Sequence, residues 1–148
     1  MQYFSKKKLI LPEGYFLNSF HVPLAKDVNK LLSNCGCDTF PVKALSQAIK
    51  KSNFFFTIQN ESEKKTYGFV RVTSDRGLNA NLWNLSAQSG ENQKLFYSIL
   101  LHVTLKKINI EMPGCSVSVQ APVSSFKSLE ESGFILDPNG IRVMGYKL

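Results

Sequence analysis

The chain has 148 residues, 43% hydrophobic and 20% charged, which suits one globular domain and excludes a disordered chain. No apolar run approaches the ~20 residues of a membrane span. The apolar stretch after Lys6–Lys8 is stopped by Pro12 and Glu13 short of a secretory leader, so a cytosolic protein with no membrane partner is expected. The net charge of +7 invites a nucleic-acid reading. The sequence argues against it, because the lysines are scattered and arginine, the residue suited to bidentate phosphate or guanine contacts, appears only at 71, 76 and 142.

Along the chain, Tyr15 to Phe20 reads as a short aromatic strand behind an N-terminal extension of residues 1–14. Leu24, Val28, Leu31, Leu32 and Cys35 then recur at helical spacing between Pro23 and Gly36, and Pro41 opens a second helix with Leu45, Ala48 and Ile49 on one face. Phe54 to Gln59 and Tyr67 to Thr73 form a predicted hairpin, and Asp75-Arg76-Gly77 turns the chain into a further strand, Ala80 to Ala87. Asp75 in such a turn is expected to cap local backbone rather than act as a base. The run Phe54-Phe55-Phe56 addresses both faces of its strand, one buried and one offering a contact surface.

Ser89 is the expected N-cap of a long helix carrying Leu95, Phe96, Ile99, Leu100, Val103 and Ile108, which starts near Ser89 or Gly90 and ends before Pro113-Gly114. Cys115 to Gln120 alternates as a half-buried strand does. Ser125 to Glu131 is a short helix, and Phe134 to Leu136 and Ile141 to Lys147 close the chain as two strands. No repeat or linker divides residues 1–148, so a single domain is expected.

Three cysteines, Cys35, Cys37 and Cys115, cannot all pair, and reduced thiols are the default. Cys35-Gly36-Cys37 has no second Cys or His pair at ligand spacing, so no metal site is expected. His21 and His102 are isolated, and Glu130-Glu131, adjacent on a helix, cannot face one point.

Thr73-Ser74-Asp75 followed by Asn79-Ala80 and Trp83, then Ser132-Gly133-Phe134, then Asp137-Pro138-Asn139-Gly140-Ile141 with Met144, resembles the GNAT superfamily of acetyl-CoA-dependent N-acetyltransferases in its cyanobacterial and plastid branch. The resemblance implies an α+β GNAT fold: a twisted, mostly antiparallel sheet splayed between strands 4 and 5, with helices on both faces and acetyl-CoA in the opening. Leu85, Ser86 and Ala87 would pair with pantetheine by their backbone. The family's pyrophosphate loop, Q/R-x-x-G-x-G/A, aligns with Asn92-Gln93-Lys94-Leu95-Phe96-Tyr97, so Asn92, Gln93 and Lys94 remain as cofactor-binding candidates while Leu95 and Tyr97 replace both glycines that would let backbone N–H groups approach phosphate. The tyrosine that in many relatives protonates the departing thiolate is replaced by Leu129, with Ser125 or Ser128 as poorer substitutes.

The expectation is therefore a GNAT homologue with lost or weakened acetyl-CoA catalysis that acts as a binding or regulatory module. The alternative is an active N-acetyltransferase of a small amine or protein amine with an atypical loop. Its partner would be an amine acceptor or a protein, and aromatics near Phe54 or Tyr146 would suit a homodimer surface.

Overall fold

In the computed structural model, residues 9–140 and 144–146 are described. They form, in chain order, β1 (Tyr15–Asn18), α1 (Ala25–Asn34), α2 (Val42–Lys51), β2 (Phe54–Asn60), β3 (Thr66–Ser74), β4 (Asn79–Ala87), α3 (Gln93–Glu111), β5 (Ser116–Val119) and α4 (Phe126–Glu131). The five strands make one sheet in the order β1-β2-β3-β4-β5, antiparallel throughout except that β5 runs parallel to β4. No helix among the described residues is long and apolar enough to cross a membrane.

Period-2 alternation divides the core between two faces of the sheet. Phe54, Phe56, Ile58, Val70, Val72, Ala80 and Leu82 pack with Phe96, Leu100, Leu101 and Ile108 of α3. Phe55 and Phe69 point the other way, onto Val28, Leu31 and Leu32 of α1 and Leu45 and Ile49 of α2. All three phenylalanines of β2 are buried, Phe54 at 9% exposure beneath the ammonium of Lys107, so the contact surface expected there is absent. Of the two aromatics considered for a dimer surface, Tyr146 is the exposed one, at 89%.

One extra residue in β4 changes this alternation. Arg71 of β3 faces Trp83, yet Phe69 faces Ser86, so Val70 alone stands against two residues of β4, Asn84 and Leu85. Asn84 takes up the difference at φ 55°, a left-handed conformation that Asn tolerates better than most side chains. Below this bulge the α3 face receives Ala80 and Leu82; above it, Leu85 and Ala87.

Several boundaries differ from the sequence reading. β1 stops at Asn18 because its side-chain oxygen accepts from the N–H groups of Phe20 and His21, folding the chain into a turn. Helix α3 starts at Gln93, not at Ser89 or Gly90: Gly90 adopts φ 141°, outside helical space, its carbonyl accepts from Gln93 N–H, and Asn92 occupies the cap position. A 3₁₀ turn, Val123–Ser125, precedes α4. Phe134 to Leu136 is not a strand; with Gly133 at φ 97°, Phe134 N–H returns to Leu129 O and folds the chain back on α4. Of the expected strand Ile141 to Lys147, residues 141–143 and 147 lie outside the described residues, and 144–146 carry no strand.

Asp75 behaves as the turn cap expected of it. The backbone N–H groups of Asn79, Gly77 and Leu78 all donate to its Oδ1 and hold its carboxyl down at about 2, below the ordinary 3.8. A carboxylate depressed on folding stabilises the fold above its unfolded pKa, and that contribution is lost as pH falls. Asp75→Asn, which keeps an acceptor but cannot titrate, is expected to flatten the fall in melting temperature between pH 4 and pH 2; parallel melting curves for the two proteins across that window would disprove it.

Candidate active site

Parallel pairing between β4 and β5 ends at Leu82 opposite Val119, while β4 continues to Ala87. The strands therefore part at the bulge. Leu85, Ser86 and Ala87 lie along the free end of β4, as the sequence reading placed them, but all three are buried. Ser86 Oγ donates back to Asn84 O at 3.0 Å and so belongs to the bulge rather than to a solvent face.

The end of β4 is covered by side chains. Ala87 O accepts from Gln93 Nε2 and from the Cys35 thiol, each at 3.0 Å. Tyr97 is 0% exposed and its hydroxyl lies 2.9 Å from Ser124 Oγ, joining α3 to the loop before α4 across the opening. Burial pushes the Tyr97 phenol up to about 12, and burial likewise raises the Cys35 thiol, so both are neutral hydrogen-bonding groups. Further out, Lys94 Nζ meets Glu131 Oε1 at 2.9 Å, an exposed ion pair from the first turn of α3 to the last of α4. Tyr15 and Tyr67 pack on Phe96, with ring centroids 5.1 and 6.3 Å away, and fix the start of α3 against β1 and β3.

Of the six candidate cofactor residues, the structure thus gathers Leu85, Ser86, Ala87 and Gln93 in one place, with Asn92 at the helix cap and Lys94 turned to Glu131. Sequence reasoning did not find Cys35, Tyr97 and Ser124 as a group, because they come from three elements far apart in the chain. Of the proton-donor substitutes, Ser125 is engaged elsewhere, its Oγ donating to Pro122 O at 2.7 Å, and Ser128 is buried, while Leu129 is core.

These residues do not fit acetyl-CoA. The positions that should present bare backbone to a pyrophosphate carry the side chains of Leu95 and Tyr97 inside the first turns of α3, and the acceptor carbonyl at the end of β4 is already taken. The loop Gln88 to Asn92 keeps one glycine, Gly90, and places Glu91, an anion, beside it. Two adjoining cavities of about 290 and 300 Å³ between β5, α4 and residues 134–138 include none of the residues at the end of β4. Among the described residues no group of three or more His, Cys, Asp or Glu is placed to hold a metal ion.

No protein-family model matches the chain. It is 26% identical over 140 residues to the uncharacterized N-acetyltransferase ycf52 of the red alga Porphyra purpurea, covering 93% of this chain and 79% of that protein. It is 25% identical over 121 residues to ycf52 of Pyropia yezoensis, covering 80% and 68%. Its backbone superposes on a crystal structure described as a protein of unknown function and probable acetyltransferase from meticillin-resistant Staphylococcus aureus, with TM-score 0.80 at 18% identity over 90% of this chain and 99% of that one. The parted β4–β5 pair and the helices on both faces of the sheet give the chain the GNAT fold, and these relatives support the resemblance to GNAT N-acetyltransferases of plastid type.

Proposed function

We propose that this chain is a GNAT-fold binding or regulatory module in which acetyl-CoA catalysis is lost or strongly weakened. One observation carries the reading: the fully buried phenol of Tyr97 spans the opening between β4 and β5 to Ser124, where its superfamily relatives bind the cofactor. With the glycine cradle gone and the Ala87 carbonyl engaged, only backbone contacts along Leu85 and Ser86 remain to hold pantetheine. Calorimetric titration with acetyl-CoA is expected to give a dissociation constant nearer millimolar than micromolar, roughly 4 kcal/mol of binding free energy rather than 8. Micromolar binding would overturn the reading.

The bulge favours a second reading. A strand bent at Asn84 and parted from its neighbour keeps the frame in which superfamily members hold a thioester. An active enzyme would bind acetyl-CoA after Tyr97 swings out, and the acceptor amine would attack the thioester carbonyl directly. The two readings separate in an assay of free CoA release with a panel of small amines and N-terminal peptides: turnover above the uncatalysed rate selects the enzyme.

A further inference from the structure

On the sheet face shared with α1 and α2, where β4 leaves β5, stands a half-buried cation with no anion beside it among the described residues. Arg71 Nε donates to Asn84 Oδ1 at 2.7 Å, and its guanidinium carbon lies 5.8 Å from the centre of the Trp83 ring. Trp83 is itself fixed by an indole hydrogen bond to Thr73 Oγ1 at 2.7 Å. Both anchors restrain the guanidinium, and neither neutralises it. Ion pairs among the described residues join Lys94 to Glu131 and Lys107 to Glu111, none reaches Arg71, and residues 1–8, 141–143 and 147–148 contain no Asp or Glu. Burial lowers the affinity of Arg71 for its proton, yet a guanidinium stays charged.

A partly desolvated charge without a partner is unfavourable, and proteins retain one where an opposite charge arrives. With Nε engaged by Asn84, the remaining N–H groups form a preoriented fork of the kind that takes two oxygens of a planar or tetrahedral oxyanion. We infer that Arg71, held by Asn84 and Trp83, is the anchor of a binding site for a small ligand carrying a carboxylate or phosphate group. This site adjoins the bulge on the α1 and α2 side of the sheet and uses none of the residues Cys35, Gln93, Tyr97 and Ser124 that cover the end of β4, so its test is read apart from acetyl-CoA binding.

Trp83 is the chain's single tryptophan and touches the anchor, so its fluorescence reports on the site directly. The intact protein is titrated with inorganic phosphate and, separately, with succinate, ionic strength being held constant with sodium chloride. A saturable change is expected with at least one. Phosphate alone would mark a phosphate monoester ligand, succinate alone a carboxylic acid, and both the shared oxyanion chemistry. Arg71→Gln is expected to weaken binding at least tenfold. Asn84→Asp keeps a residue type that tolerates positive φ and supplies an internal carboxylate; it is expected to raise the melting temperature and also weaken binding at least tenfold, which keeps the test valid if Arg71→Gln does not fold. No saturable response to either anion, or a response unchanged in Asn84→Asp, would overturn the inference. Acetyl-CoA is titrated by calorimetry on the same protein, so tight cofactor binding with silent anion titrations would count against the two proposals separately.

Discussion

Replacing Leu95 and Tyr97 together by glycine is expected to melt the protein early and to yield no acetyl transfer, although it restores the spacing of the family's glycines. Both residues lie inside α3 (Gln93–Glu111), where each glycine costs about 1 kcal/mol relative to alanine. Tyr97 is fully buried and Leu95 packs against the same core, so truncation adds a cavity penalty of roughly 2–5 kcal/mol for the larger side chain. Against the 5–15 kcal/mol that holds a typical domain together, this is a large fraction. Thermal denaturation by circular dichroism measures the loss. A double variant that stays folded and turns over acetyl-CoA with a general amine would mean that the site was merely obstructed, and the enzyme reading would displace the module.

Inserting one further residue after Asn84 tests the bulge with comparable severity. The bulge absorbs one extra residue of β4; a second would send Leu85 and Ala87 to the α1 and α2 face and Ser86 into the α3 core. Removing Leu85 from its packing alone costs about 2–5 kcal/mol, and a serine hydroxyl set into an apolar core adds about 1–3 kcal/mol. Urea denaturation is expected to show the insertion mutant largely unfolded at 25 °C. Asn84→Gly, which keeps both the residue count and the positive φ but gives up the hydrogen bond from Arg71, is expected to lose about 1–3 kcal/mol. If the insertion mutant is as stable as Asn84→Gly, then the parity of β4 is set by something other than the bulge.

Much of the candidate site could be placed from the chain alone, since Leu85 to Ala87 end the fourth strand and Leu95 and Tyr97 stand where glycines would be. The start of α3 could not. Ser89 has the chemistry of an N-cap, but the backbone of Gly90, free to adopt φ 141°, turns first and passes the cap position to Asn92. Similarly, Phe134 to Leu136 has the apolar character of a strand, yet the hydrogen bond that closes α4 at Gly133 turns these residues away from an extended path. In both places a glycine-permitted backbone angle overrides the propensity of its neighbours.

By itself the sequence determined the element order, because period 2 and period 3.6 are local properties of where apolar residues fall. It also carried the resemblance to the plastid-type branch, through short motifs, and the absence of the glycine cradle, which is a matter of composition. Only the tertiary structure decided that Asn84 is a bulge that re-aims the end of β4, that Tyr97, Cys35, Gln93 and Ser124 converge over it, and that Arg71 stands beside Trp83 with no carboxylate paired to it among the described residues. Each of these is a relation between residues 6 to 52 positions apart, created when strands register and helices pack, and no pattern along the chain encodes a distance of 3 Å across the sheet.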